Sequence, residues 1–444
     1  MKWNSRQRKA IQQAQGKNVC VIAGPGAGKT SLLVERHNWL AEQVGCDCIK
    51  LITFTNAAKE EIKERMLSQL SSNVSTFSSW CLRELKYNGY SVKLFNMDTD
   101  EQQKFVKKIV GNRFNVTHVI QLISYCANKN ISIDKAIQKR FKHLKGKEEQ
   151  LKQITEEYKS KKLKNGKADF DDLLTDFYAA LKSKCFLKQV LAKTSHVLVD
   201  EAQDMSVIQW NILRKLSRKG IKVFCVGDPA QTIYSFRGAS GKYLSQFTNR
   251  FADSIKIKLT KNYRSSAEIV DVGNWLRKNI NNNYHEIEAS KGSSSKPKLL
   301  SESTFEESIG WVCKSIVELL EQGENVNEIA VLVRTNAQLE SVNSIMEKEK
   351  VPVPNDDDAF GVLLMTIHGS KGKEFKHVFV IDPRFGYSQL DTEYCEKRVL
   401  YVAITRAKQS LSIVRDCGGK ALFCDMKKGL YPIDELDKPL IKIV

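Results

Sequence analysis

Two kinds of segment alternate along the chain. Short β-branched apolar runs stand at 19–22, 49–54, 196–200, 223–228, 255–259, 329–333, 362–366, 377–381 and 410–414. Helix-period segments stand at 31–43, 57–70, 207–216, 267–277, 305–320, 338–348 and 396–405. Continuous apolar strands alternating with amphipathic helices predict parallel sheets of the α/β class. The strands fall into two groups, before and after about residue 253, which predicts two α/β domains. The stretch 82–166 is lysine-rich, helix-patterned and poor in strand signals, and reads as a helical insertion in the first domain. Residues 281–296 are rich in Asn, Ser and Lys and read as a surface loop.

Three of these strands end in residues with chemistry. After the run 19–22 comes Ala23-Gly24-Pro25-Gly26-Ala27-Gly28-Lys29-Thr30, and then a helix. Glycines let backbone N–H groups curl around phosphates, and the helix N-terminus adds partial positive charge. Lys29 is placed to reach β- and γ-phosphates and Thr30 to hold Mg²⁺, so ATP with Mg²⁺ is the expected ligand. Ala23 stands where the usual pattern has its first glycine. The run 196–200 ends in Asp200-Glu201-Ala202-Gln203-Asp204, which puts two carboxylates at the C-terminal edge of a sheet. Asp200 is expected on the metal, and Glu201 is expected to orient or deprotonate the attacking water. Alone, such a pair also serves as a helix cap; a phosphate loop upstream turns it into a metal site. The third strand leads into Gly227-Asp228-Pro229-Ala230-Gln231-Thr232-Ile233-Tyr234-Ser235-Phe236-Arg237-Gly238-Ala239. Gln231 is placed to sense a γ-phosphate, and Tyr234 and Phe236 to stack on bases; the plain alternative for either ring is core packing.

Charge narrows the class of partner. Of 444 residues, 70 are Lys or Arg and 51 Asp or Glu, a net +19, which favours a polyanion. No apolar run reaches the length of a membrane span, and the N-terminal Met1-Lys2-Trp3-Asn4 start lacks the apolar core of a secretory leader. The eleven cysteines include no CxxC pair, so buried free thiols in a reducing cytoplasm are expected rather than a zinc or iron–sulfur site.

These segments, with Leu259-Thr260-Lys261-Asn262-Tyr263-Arg264-Ser265-Ser266, resemble motifs II, III and IV of UvrD/Rep/PcrA-like superfamily 1 DNA helicases. The rest of the set is present in order. Asn4-Ser5-Arg6-Gln7 resembles the Q motif, Thr53-Phe54-Thr55-Asn56 motif Ia, and Asp169-Phe170-Asp171-Asp172-Leu173 the DFDDL segment. Val331-Leu332-Val333-Arg334-Thr335-Asn336 resembles motif IVa, Thr366-Ile367-His368-Gly369-Ser370-Lys371-Gly372-Lys373-Glu374 motif V, and Tyr401-Val402-Ala403-Ile404-Thr405-Arg406-Ala407-Lys408 motif VI. The resemblance implies two RecA-like domains. Residues 1–81 and 167–253 are the two parts of the first, 82–166 its helical insertion, and 254–444 the second.

The resemblance implies roles where residues match. Gln7 reads adenine and Tyr263 stacks on it. Arg264 and Arg406 act as arginine fingers, and Glu374 meets the nucleotide near the ribose. Phe54, Phe170, Tyr234 and Phe236 meet bases, while Thr55, Arg237, Arg334 and His368 meet the strand. The bland alternatives are surface ion pairs for the arginines and a structural role for His368. The implied activity is ATP-dependent movement along single-stranded DNA, 3′ to 5′, with unwinding at duplex junctions, driven from a cleft between the RecA-like domains. A translocase that strips proteins without unwinding, and a scaffold that only binds nucleic acid, are the alternatives.

The chain departs from the family pattern in three places. Ser78 stands where histidine is usual, and Lys373 where leucine is expected. Only 25 residues, 337–361, occupy the place of a large second insertion, which is therefore expected to be essentially absent. The lysines of Lys159-Ser160-Lys161-Lys162-Leu163-Lys164 read either as a grip on duplex phosphates or as a solvated helix end.

Overall fold

The computed structural model describes residues 3–12, 16–66, 73–281, 284–302, 304–354, 360–381, 393–416 and 434–435. They sort into two units, Met1–Ala23 with Lys29–Leu259, and Gly24–Gly28 with Thr260–Val444.

The first unit is built on β1 (Asn18–Ala23), β2 (Ile49–Thr53), β3 (Val74–Thr76), β6 (His196–Val199), β7 (Lys222–Gly227) and β8 (Ser254–Leu259). Their order is β3-β2-β6-β7-β1-β8, and every neighbouring pair is parallel. All residues of β1, β2 and β6 are buried, which is why their sequences run apolar without alternation. Helices α1 (Ser5–Gln12), α2 (Lys29–Val44), α3 (Asn56–Arg65) and α4 (Phe77–Tyr87) precede the insertion. Helices α9 (Phe170–Ala180), α10 (Lys184–Ala192), α11 (Val207–Ser217), α12 (Gly241–Ser245) and α13 (Phe247–Arg250) come after it.

The insertion is helical, as the pattern predicts: α5 (Glu101–Val110), α6 (Val116–Lys129), α7 (Ile133–Lys139) and α8 (Glu148–Lys164), bracketed by the short parallel pair β4 (Lys93–Leu94) and β5 (Lys167–Ala168). It has its own core, running from Phe95 through Leu122 and Phe141 to Tyr158. Its start differs from the expected residue 82, which falls inside α4. That helix packs through Trp80, Cys81 and Leu85 into the core of the first sheet, so the insertion begins only after it.

The second unit holds the small pair β9 (Lys261–Asn262) and β10 (Glu288–Ala289), and a sheet of β11 (Lys298–Glu302), β12 (Ile329–Val333), β13 (Leu363–Thr366), β14 (Phe375–Ile381), β15 (Ala407–Asp416) and β16 (Asp434–Glu435). Its order is β13-β12-β14-β15-β11-β16, again parallel throughout. Helices α14 (Ala267–Ile280), α15 (Phe305–Glu321), α16 (Asn336–Lys348) and α17 (Glu393–Ile404) belong to this unit, and α15 and α16 pack on the core around Ile309, Val331 and Phe379.

Two expectations about extent change. The division near residue 253 comes too early, because β8 adds six residues to the first sheet in parallel register with β1, from Asn18 opposite Ser254 to Ala23 opposite Leu259. Within the expected loop 281–296, Glu288 and Ala289 form a strand on Lys261 and Asn262. Of the segment 337–361, residues 337–348 lie in α16 and 355–359 fall outside the described residues.

Candidate functional site

In the first unit the C-terminal ends of β1, β6 and β7 deliver the predicted chemistry to one edge. Ala23 closes β1, and Lys29 and Thr30 are the first two residues of α2, where the helix dipole favours an anion. One strand over, β6 ends at Val199, with Asp200 and Glu201 directly after it. Asp200 is buried. Burial first, and then the Glu201 carboxylate, push its carboxyl up to about 7, against the pull of Lys29. Glu201 has φ of 46°, a left-handed conformation that costs a side-chain-bearing residue free energy and concentrates at functional positions. Its N–H donates to Asp200 Oδ1 at 2.9 Å. Gln231, at the end of the turn after β7, is buried, and its amide donates to Asp228 Oδ2 at 3.2 Å.

The donor set suits a hard divalent cation. The Thr30 hydroxyl and the Asp200 carboxylate are oxygen ligands of the kind Mg²⁺ takes, and a buried acid pressed by a neighbouring acid is an environment that a cation relieves. Among the described residues no cluster of three His, Cys, Asp or Glu has the makings of a metal site, and the nine described cysteines are all free.

The same unit carries the aromatic residues. The Phe54 ring stacks on Tyr234 with centroids 4.8 Å apart, and Tyr234 meets Phe236 at 5.9 Å. The Arg237 guanidinium lies 5.9 Å from the Tyr234 ring and 5.6 Å from that of Phe236. Core packing is excluded for two of these rings, since Phe236 is 39% and Phe170 47% exposed. Thr55 is exposed and caps α3, its hydroxyl accepting from Ala58 N–H at 3.1 Å. A cavity of about 350 Å³ is lined by Phe54, Thr55, Phe170, Asp200 and Glu201, with Ser78 on its wall.

The insertion positions part of this surface. Asn128 of α6 donates to Asp171 Oδ1 at 2.6 Å, and Lys129 Nζ donates to the Ala239 carbonyl at 3.0 Å. Lys162 is buried and paired with Asp169 at 2.5 Å and Asp172 at 2.6 Å. This takes Lys162 out of the lysine-grip reading, since it ties α8 to the start of α9; Lys159 and Lys161 are exposed and pair with Glu156 and Glu157.

Gln7 is buried in the first turn of α1, where its amide oxygen accepts from Asn4 N–H at 3.0 Å and its own N–H donates to Asn4 Oδ1 at 2.9 Å. The residue expected to read adenine is thus a capping residue of α1.

In the second unit the Tyr263 N–H donates to the Gly26 carbonyl at 2.8 Å, and the Tyr263 ring is 43% exposed. Gly26 has φ of 66°, and a Cβ there would meet Asn262 Oδ1 at 2.5 Å, so only glycine fits. Gly24, Ala27 and Gly28 complete the loop, Gly28 also with positive φ. Arg264 pairs through Nε with Glu374 at 2.5 Å and donates from Nη1 to the Thr405 carbonyl at 3.2 Å. Arg406 is buried and donates to the Val402 and Lys373 carbonyls, each at 3.0 Å. The unexpected Lys373 therefore bears on this site through its main chain. His368 is half-buried after β13. Arg334, expected on the DNA strand, lies at the end of β12 and makes an ion pair. Its guanidinium makes a two-pronged bond to Glu396, Nε to Oε2 at 2.9 Å and Nη2 to Oε1 at 2.7 Å, and Glu396 is buried. That fork ties α17 to the end of β12.

Comparison with known proteins gives matches along most of the chain. Residues 3–252 match the family model described as UvrD/REP helicase N-terminal domain. Residues 257–360 and 361–414 match two models of the UvrD-like helicase C-terminal domain, which abut with nothing between them. A "Probable DNA helicase II homolog" of Mycoplasma capricolum is 30% identical over 368 residues, 76% of this chain and 49% of that protein. A "Probable DNA helicase" of Mycoplasma pneumoniae is 27% identical over 445 residues, 93% of this chain and 83% of that protein. The "ATP-dependent DNA helicase PcrA" of Leuconostoc citreum is 26% identical over 378 residues, 79% of this chain and 49% of that protein. The chain thus spans about half the length of several of the relatives it matches.

Proposed function

The chain belongs to the UvrD/REP helicase family, and from that premise we propose that it hydrolyses ATP to move along single-stranded DNA, 3′ to 5′, and to separate strands at duplex junctions. The cavity in the first unit carries this reading. Its walls join the Asp200 and Glu201 carboxylates to the Phe54 and Phe170 rings, so hydrolytic and base-stacking chemistry share one space.

Each residue then has a task. Lys29 and the N-terminus of α2 hold the terminal phosphates. Thr30 and Asp200 would hold Mg²⁺, which would supply charge neutralisation at the phosphate oxygens. Glu201 takes the proton of the attacking water, and Gln231 reads the γ-phosphate. Arg264 and Arg406 stabilise the charge that develops on the departing phosphate. Gln7 and Tyr263 hold the adenine, and Glu374 lies toward the ribose. Phe54, Phe170, Tyr234 and Phe236 stack on successive bases, each worth about 1–3 kcal/mol, with Thr55, Arg237 and His368 along the backbone. Bound nucleotide favours one conformation of the chain by its differential affinity, and loss of the γ-phosphate releases it. A strand held on the aromatic residues is thereby advanced.

A second reading, translocation without unwinding, is favoured by the abutting C-terminal matches at residues 360 and 361, which leave no room for a second insertion. One experiment tests both. ATP hydrolysis is measured with and without single-stranded DNA, for wild type and Glu201→Gln, and then unwinding of a 3′-tailed duplex. Stimulated hydrolysis that the variant loses by roughly 100-fold or more, with strand separation, is the expected result. Stimulation without separation leaves the translocase. Wild-type protein without stimulated hydrolysis overturns the motor.

A further inference from the structure

Gln203 stands between two parts of the hydrolytic machinery and touches both. It lies in the single 3-10 turn Ala202–Asp204 directly after Glu201, and its side chain is completely buried. Its amide nitrogen donates a short hydrogen bond to Glu201 Oε2. Its amide oxygen accepts from the Asp228 N–H at 3.0 Å. Asp228 is also completely buried; its Oδ1 accepts from Ala230 N–H at 3.0 Å and its Oδ2 from the Gln231 amide at 3.2 Å. An unbroken chain of hydrogen bonds therefore runs from the carboxylate that meets the attacking water to the amide that reads the γ-phosphate. The packing fixes its middle link: a Cβ on Gly227 would collide with Gln203 Oε1 and come within 2.9 Å of Leu244 Cδ2.

The polarity of the chain is set by the side-chain chemistry. An ionised carboxylate only accepts, so Glu201 requires a donor, and a backbone N–H only donates, so Asp228 requires an acceptor. A primary amide satisfies both at once; an ionised carboxylate or an alkyl chain does not. Glu201 sits in a left-handed backbone conformation, with its side chain aimed by bonds rather than by a preferred backbone state.

We infer that Gln203 is a positioning residue for hydrolysis, aiming the Glu201 carboxylate and coupling it through Asp228 to Gln231. This rests on the proposed ATP-hydrolysing function. It predicts that the setting of Glu201 depends on the turn that carries Gln231, so the two halves of the site act as a unit.

Gln203→Glu separates the two bonds. The new side chain keeps an acceptor for Asp228 N–H, which preserves the turn, and loses the donor to Glu201. The expected result is a kcat for strand-stimulated ATP hydrolysis lowered roughly 10–100-fold, the range of supporting-shell losses, with KM for ATP within about threefold of wild type. The thermal midpoint and binding of a fluorescent ATP analogue serve as controls for folding. Gln203→Met, which loses both bonds at similar volume, is the second variant, and its kcat is expected to fall at least as far. In a cycle with Gln231→Ala, the double variant is expected to be no slower than the slower single variant, because both changes break one chain. A folded Gln203→Glu protein with wild-type kcat, or strictly multiplicative losses in the cycle, overturns the inference. An inactive wild type overturns the proposed function instead, which keeps the two failures distinct.

Discussion

The two sheets are alike in strand number and in being parallel throughout, yet they treat buried charge in opposite ways. At the edge of the first, Asp200 is buried against a second acid, and its carboxyl is pushed up to about 7. In the second unit three arginines, Arg406 buried and Arg334 and Arg264 partly so, find their acceptors within the unit. Arg334 is closed on Glu396 by two bonds, Arg264 pairs with Glu374, and Arg406 gives its donors to main-chain carbonyls. One edge presses two acids together, an arrangement that a cation would relieve; the other holds its arginines among acceptors. The first arrangement favours ligand binding at a cost in stability, and the second favours stability and fixes where the guanidinium groups lie.

Acid-to-amide substitutions therefore change stability with opposite sign in the two units. The largest effect is expected for Glu396→Gln, which leaves the partly buried Arg334 without its charge partner and lowers stability by about 3–5 kcal/mol in chemical denaturation. Replacing both members, Arg334→Met with Glu396→Leu, is expected to recover most of that loss. A small effect of Glu396→Gln alone breaks the contrast. Asp200→Asn is expected to raise stability by about 1–2 kcal/mol at pH 8 while abolishing hydrolysis. The sign comes from linkage: a carboxyl with a raised folded pKa contributes stability fully below about pH 4, and that contribution is lost as pH rises through about 7. The gain from Asp200→Asn must therefore shrink between pH 8 and pH 5, and a gain independent of pH refutes this origin.

Glu374→Gln sharpens the comparison at a half-exposed pair. Glu374 is 43% exposed, so its loss is expected to cost under about 1 kcal/mol in stability. Arg264 loses its anchor, however, and kcat for hydrolysis is expected to fall several-fold. The smallest effect belongs to Lys161→Ala, which removes an exposed pair with Glu157 and is expected to move stability by less than about 0.5 kcal/mol. Its effect on the salt dependence of DNA binding is expected to be below one phosphate contact. A larger slope change revives α8 as a phosphate grip.

Strand-end chemistry is legible in the sequence because it is local. A parallel strand buried on both faces reads as an apolar run, and the residues just beyond its C-terminal end lie at the ligand-binding edge; Asp200 and Gln231 both stand there. Short strands without an apolar run are not legible: β3 has three residues, and β11 reads Lys-Leu-Leu-Ser-Glu. Partners distant in sequence are invisible for a different reason. Glu396 lies 62 residues from Arg334, and nothing near either residue announces the other. Lys162 sits in a run of lysines that pattern alone assigns to solvent, and only the carboxylates of Asp169 and Asp172 explain its burial. Gln203 is in plain view inside Asp-Glu-Ala-Gln-Asp, but its two bonds depend on where β7 ends.

The seating of Gln203 over Gly227 also bears on how the chain can vary. No side chain fits at position 227 while this amide lies across it, with Leu244 also close, and the amide is the link between Glu201 and Asp228. The two positions are therefore tied as one heritable unit, although they stand 24 positions apart (227 − 203) in the sequence. A drifting descendant must keep both residues or replace the whole connection, and neither position can change first without loss.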